Sequence, residues 1–303
     1  MIDRHAAWGL RPELLLRPGA VGEVDVLDTL FEQVHRFSPA EVRALDLGLP
    51  GAADRLEAAL LREGPVSAAL RDRAWAARLR PRPWPAPSAP AGPHLDAACE
   101  RLAKRWSGGS FGRPERWRRL LEGGLAGGRR LQLDGLLPPR LARALARATG
   151  GLPYAPLRAG VVSAARAALP ARAPFTGLRD RLLDPDLHAL LGAALDRPTA
   201  GLGLHLNAWR LQPGDHMALH ADGPRYEITV VIGLCEGWRA EDGGEISFID
   251  PTRPEGPRQP WLPHLGDALV FAPDAGSWHA VVPPRRTRHT LSGWLVRPSP
   301  EPT

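Results

Sequence analysis

The sequence predicts a mainly β C-terminal domain with flanking helices, preceded by a small α/β N-terminal region. Three observations carry this. Residues 205–297 are a series of short apolar or alternating runs, among them Glu227-Ile-Thr-Val-Val-Ile, Gly243-Gly-Glu-Ile-Ser-Phe and Gly266-Asp-Ala-Leu-Val-Phe, cut by Gly, Pro and Asp. Val, Ile, Phe and Trp suit a half-buried pleated surface while Gly and Pro interrupt it, so these runs read as antiparallel strands joined by turns. The stretch from Arg80 to Pro93 is rich in proline, whose fixed φ and missing N–H forbid a helix interior or a central strand, and so marks an extended boundary. Before it, residues 14–79 alternate like strands first and like helices afterwards. The division expected is residues 1–80 as a small α/β unit, 81–129 as a Pro-rich linker and helical connector, and 130–303 as the β domain.

The bulk properties set limits. The 303 residues hold 44% hydrophobic side chains, ample for one large or two modest domains. Lys and Arg number 39 against 33 Asp and Glu, a net charge of +6, but Lys104 is the only lysine. An arginine excess beside abundant Ala, Gly and Pro reflects coding bias more than a partner, and no aromatic-interleaved basic motif accompanies it; no nucleic-acid partner is expected. Cys99 and Cys235 stand far apart, which excludes a disulfide framework and points to a reducing compartment. No segment has the length and apolarity of a membrane span or the pattern of a signal peptide, so a cytoplasmic protein without a membrane partner is expected.

In chain order, Leu14-Leu-Leu-Arg, Glu23-Val-Asp-Val-Leu-Asp and Gln33-Val-His-Arg-Phe read as three strands. Ser38-Pro-Ala-Glu is a capping box with proline at the first helical position. Helical patterns follow at Leu56–Leu61 and Val66–Leu79. Beyond the prolines, Leu95 to Trp106 and Pro114 to Leu121 are amphipathic helices expected to pack on the β domain. A strand ending at Asp134 and a helix begun by Pro138-Pro139 open the C-terminal domain, and Asp184-Pro-Asp caps a helix that carries Leu187, Leu190, Leu191 and Leu195.

Within the β domain, His220, Asp222 and His279 look out of place. Strand side chains alternate between faces, so His220 and Asp222 point the same way if that segment is extended. With His279, which opens the apolar run His279-Ala-Val-Val, they make a two-histidine, one-carboxylate set of the kind that holds non-haem Fe(II) with positions left open. Arg288 and Thr290 again share a strand face. A guanidinium fork with a hydroxyl beside it suits a carboxylate, such as the far end of 2-oxoglutarate. A zinc hydrolase could also use two His and an Asp, but has no evident use for Arg288. His205, His216, His264 and His289 are read as exposed or packing residues.

His220-x-Asp222, then His279, then Arg288-x-Thr290 followed by Ser292-Gly-Trp resembles the prolyl-hydroxylase-like branch of the 2-oxoglutarate/Fe(II) dioxygenases. Arg210-Leu-Gln-Pro-Gly-Asp-His and Gly237-Trp-Arg-Ala-Glu-Asp-Gly-Gly-Glu-Ile add to the resemblance, which covers residues 130–303. It implies a double-stranded β-helix, a squashed jelly-roll barrel of two antiparallel sheets with helices outside. It also implies Fe(II) on His220, Asp222 and His279, 2-oxoglutarate held by Arg288 and Thr290, and O2 as the other substrate. Succinate and carbon dioxide are released as an unactivated C–H bond is hydroxylated. Many relatives carry a tyrosine just after the Arg210 position; here it is Leu211, so the remaining cosubstrate contacts are not fixed by the resemblance. Related halogenases lack the carboxylate that Asp222 supplies, so hydroxylation leads, with desaturation or cyclisation able to use the same centre.

Asn207, Arg210, Arg225 and Tyr226 are expected at the mouth as substrate contacts. The N-terminal strand–strand–strand–helix order loosely resembles winged elements that capture a leader peptide as an edge strand, which implies a residue of a ribosomal precursor peptide as substrate. If that unit is only a cap, a free or carrier-bound amino acid or a small natural product is expected instead. A non-catalytic barrel serving as an interaction module is the reading from a different class.

Overall fold

Alternating residues and a tight Gly-containing turn build the first unit. The structure is a computed structural model that describes residues 14–20, 22–28, 33–47, 93–126, 130–159, 162–222, 226–249, 259–273 and 276–297. Strands β1 (Leu14–Pro18), β2 (Val24–Asp28) and β3 (Gln33–Phe37) form an antiparallel sheet in that order. Helix α1 (Pro39–Asp46) follows at once. The Ser38 hydroxyl accepts from the Glu41 N–H, and the Ser38 N–H donates to Glu41 Oε2 at 2.9 Å, the reciprocal cap read from the sequence. Val24, Val26, Phe37 and Val42 close a small core of their own, while Val34 on β3 is 56% exposed. The helical patterns at 56–79 and residues 80–92 of the proline-rich stretch lie outside the described residues, as does Arg225.

The helices α2 (Pro93–Arg105) and α3 (Pro114–Ala126) share one apolar core with the chain that follows. Trp106 and Trp117 meet edge to face at 5.9 Å, and the Trp117 indole donates to the Phe111 carbonyl. Arg101 and Arg105 reach Asp186 and Asp184 at the start of a later helix, α6 (Pro185–Leu195). Asp184 caps that helix by accepting from the Asp186 N–H at 2.9 Å. Helices α4 (Pro139–Gly150) and α5 (Phe175–Leu182) complete the layer. Among the described residues no helix is long and apolar enough to cross a membrane.

Against this layer stands an eleven-stranded antiparallel sheet. Its strands are β4 (Arg130–Leu133), β5 (Ala155–Ala159), β6 (Val162–Ala168), β7 (Gly203–Leu211), β8 (His216–His220), β9 (Tyr226–Gly233), β10 (Ile246–Phe248), β11 (Gln259–Trp261), β12 (Ala268–Phe271), β13 (His279–Val281) and β14 (Arg288–Val296). They follow the order β11-β10-β13-β8-β6-β7-β14-β9-β12-β4, with β5 paired to β6.

Alternation divides the sheet's two faces. Leu206, Ala208, Ile228, Val230, Ile232, Val270, Leu291 and Leu295 face the helices. Trp209, Leu211, Val231, Leu269 and Phe271 face the other way and pack on Ile246, Phe248, Trp261 and Val281 from the opposite end of the path. Phe248 on β10 and Phe271 on β12 touch edge to face at 5.2 Å. The sheet is therefore folded on itself around an apolar interior, which is the jelly roll expected.

One glycine is required by close approach. A Cβ on Gly233 would lie 2.2 Å from the His264 carbonyl oxygen and 2.4 Å from the Pro263 carbonyl carbon, both fixed backbone. Gly150, at the end of α4, has nothing within 4 Å of that point. Gly233→Ala is expected to cost about 1–3 kcal/mol in chemical denaturation, as overpacking does, while Gly150→Ala costs nothing. Equal stability of the two variants would contradict the backbone contact.

Candidate active site

The strand register brings the three polar residues together. His279 on β13 pairs directly with His220 on β8, and Phe248 on β10 pairs with His279. The imidazole centroids of His220 and His279 are 4.3 Å apart. Asp222, just beyond β8, completes a cluster whose candidate ligand atoms all lie within 4.8 Å of one another. Among the described residues it is the one group of three His, Cys, Asp or Glu so arranged.

Each member is oriented by a neighbour. His220 Nδ1 lies 2.7 Å from the Ala218 carbonyl, and His279 Nδ1 lies 2.7 Å from the Ser277 carbonyl. A carbonyl only accepts, so both rings carry their proton on Nδ1 and keep the Nε2 lone pair for a ligand role. The Thr229 hydroxyl donates to Asp222 Oδ2 at 2.5 Å, fixing the carboxylate. Phe271 and Phe248 wall His279, which is 6% exposed. Burial holds the His279 imidazole down to about 4, with the neighbouring His220 acting in the same direction and Asp222 opposing.

On β14, Arg288 and Thr290 both face the interior and are each 1% exposed. Arg288 Nη1 donates to Thr290 Oγ1 at 3.3 Å, while Nε and Nη2 are buried with no hydrogen-bond partner among the described residues. Burial pushes this guanidinium down to about 10, with Glu245 pulling the other way, so it stays a cation at neutral pH. Gly244, at φ 71°, packs close to the Arg288 stem: a Cβ there would sit 3.0 Å from Arg288 Cδ and 3.2 Å from Trp238.

The expected mouth residues divide. Asn207, opposite Ser292, and Tyr226, whose ring stacks on Trp294 at 5.4 Å, lie on the side of the triad. Arg210 is a correction. It pairs with His289, one residue out of step with Arg288, so alternation sends it to the outer face, where it stacks over Tyr154 at 4.5 Å. His289 shares that outer face, its Nδ1 3.4 Å from the Tyr154 hydroxyl. His205 packs on Trp294 and His216 is buried. Three residues escaped the sequence reading: Thr229, a lone hydroxyl in an otherwise apolar run; Trp209, opposite Thr290; and exposed Arg166, paired with Trp209, its guanidinium 5.8 Å over the Trp209 ring.

Fold and cluster together are a jelly-roll barrel that carries a two-histidine, one-carboxylate set on its inner side. Residues 204–296 match the 2OG-Fe(II) oxygenase superfamily. A prolyl-4-hydroxylase of Pseudomonas putida is similar in structure, with a TM-score of 0.50 at 24% identity over 60% of this chain and 100% of that one. A viral collagen prolyl hydroxylase of Paramecium bursaria Chlorella virus-1 is similar at TM-score 0.45 and 15% identity, covering 57% and 98% of the two chains. A prolyl hydroxylase of Trichoplax adhaerens, in complex with a hypoxia inducible factor peptide fragment, is similar at 0.48 and 14%, covering 68% and 94%. No curated protein sequence matches the chain. The structural likeness shows the fold, and the match over residues 204–296 is to a superfamily that implies Fe(II), 2-oxoglutarate and O2.

The buried histidine gives a pH dependence. An unfolded chain takes up this proton near 6.5 and the folded, metal-free chain near 4. Stability contributed by the neutral ring is therefore complete above that window and is lost as pH falls through it. The His279 ring resonance of the metal-free protein is expected to titrate near pH 4; a midpoint near 6.5 would contradict its burial.

Proposed function

We propose that the chain is an Fe(II)- and 2-oxoglutarate-dependent hydroxylase of an unactivated C–H bond in an amino acid residue. In this reading His220, Asp222 and His279 hold the iron, and Arg288 and Thr290 hold the distal carboxylate of 2-oxoglutarate. The observation that carries it is a cation, Arg288, buried with two unsatisfied donors in the same barrel as two imidazoles whose Nε2 atoms are free. An apolar interior does not keep an unpaired charge at no cost, and a carboxylate ligand answers both donors.

The donor set fits the group. Neutral nitrogen and carboxylate oxygen suit Fe(II), and among the described residues both cysteines lie outside the cluster. Bound iron supplies the oxidative chemistry, coupling dioxygen reduction and decarboxylation of 2-oxoglutarate to hydroxylation. The protein's part is to position and to exclude water. Thr229 holds Asp222 in one rotamer, the Ser277 and Ala218 carbonyls hold both imidazoles, and Phe248 and Phe271 keep the His279 side dry. Asn207 and Tyr226 stand on the inner side for substrate contact, with Arg225 the third candidate.

We assign residues 130–303 to the catalytic domain, 81–129 to the linker and helical connector, and 1–80 to a peptide-binding unit. The support for the last is the three-stranded sheet whose edge strand β3 presents Val34 to solvent beside α1. The substrate on this reading is a residue in a ribosomal precursor peptide, delivered by its leader.

Asp222→Ala is expected to abolish succinate release, and Thr229→Val to weaken metal binding by about 10–100-fold. Arg288→Gln should raise KM for 2-oxoglutarate at least about tenfold while metal binding holds. Full turnover by the Asp222 variant would contradict its role as a ligand. In the full-length chain, Val34→Asp should raise KM for a precursor peptide and leave KM for 2-oxoglutarate unchanged; no effect on any peptide points to a free or carrier-bound amino acid.

A further inference from the structure

Trp209 lies on the interior wall of β7, directly opposite Thr290 of β14, and is 7% exposed. Its indole Nε1 is buried without a hydrogen-bond partner among the described residues. The polar group recorded over its ring is the Arg166 guanidinium, a cation with no acceptor to offer. Directly opposed residues of an antiparallel pair have their Cβ atoms about 5 Å apart, within the reach of an indole. Arg288 Nε and Nη2, on the same face of β14, are orphaned as well. Three buried donors on neighbouring positions of one sheet face thus lack a hydrogen-bond partner among the described residues, with the Glu245 carboxylate acting on Arg288 only electrostatically. Buried donors of a folded protein are rarely left so, because each costs the desolvation of an unmade hydrogen bond. An acceptor-only group entering the barrel would answer these donors.

We propose that Trp209 Nε1 is a further donor to the distal carboxylate of 2-oxoglutarate, beside Arg288 and Thr290. This rests on the reading of that pocket given above. A carboxylate offers about four acceptor sites on two oxygens. The guanidinium fork takes two, the Thr290 hydroxyl can take one, and the indole takes the remaining one. The position that carries a tyrosine in many relatives is Leu211 here, which has no polar group, and Trp209 stands two residues earlier on the same strand face. The indole remains neutral, so it adds direction without adding charge.

The test uses the full chain loaded with Zn(II), a redox-inert ion that permits binding without turnover. Titration with 2-oxoglutarate, followed by the indole N–H resonances, is expected to shift the Trp209 signal strongly. Calorimetry on Trp209→Phe is expected to show about tenfold weaker 2-oxoglutarate binding, with Zn(II) affinity unchanged. If 2-oxoglutarate binds but the Trp209 resonance stays in place, or if the Phe variant binds as tightly as the parent, the assignment of Trp209 is overturned and the pocket reading stands. If the parent protein loaded with Zn(II) binds no 2-oxoglutarate, both fall. Should the variant not fold, the parent resonance alone decides.

Discussion

A fully buried guanidinium is the constraint around which the C-terminal part of this chain is arranged. Arg288 sits at the start of the strand that holds the sheet's centre, paired on one side with β7 and on the other with β9. Burial lowers its proton affinity, yet not far enough to make it neutral. A charge in such a place is tolerated when it is matched, and its one recorded hydrogen bond, to Thr290, leaves most of its donor capacity unused. Gly243 and Gly244, both at positive φ, let the neighbouring turn close over the arginine stem, with the Trp238 indole tying that turn by its bond to the Gly243 carbonyl. The backbone has been shaped to keep this cation in the barrel.

The histidine pair depends on register in the same way. β8 and β13 place His220 and His279 opposite each other, and a one-residue slip would send one ring to each face. The register changes between His279 and Val281, so the pairing is irregular just where the two rings meet. Tautomer, rotamer and spacing are then all fixed by backbone carbonyls and by Thr229, not by charged partners. That leaves the net charge of the cluster to Asp222 and to whatever ion it binds.

Much of this was legible in the chain itself, because the decisive relations are local. His220 and Asp222 are two apart, Arg288 and Thr290 are two apart, and period-two alternation needs only that the segments be extended. The caps at Ser38 and Asp184 were readable for the same reason. Arg210 was misplaced because its face depends on pairing with β14: against Arg288 the in-step residue is Leu211, and only that partnership shows that Trp209 rather than Arg210 looks inward. Thr229 was missed because its value lies in a contact with Asp222, seven residues back in sequence and on a different element. For α2 the amphipathic pattern showed an apolar face, but not that its last turns would reach the start of α6 through Arg101 and Arg105.

The central claim is that Arg288 waits for the second carboxylate of a keto diacid. The most direct measurement compares 2-oxoglutarate with 2-oxobutyrate, which keeps the keto acid but lacks the distal carboxylate, by calorimetric titration into the Mn(II)-loaded protein. The account predicts that the diacid binds at least about thirtyfold more tightly, because its absence leaves a buried cation unpaired. Equal affinity for the two keto acids would contradict it.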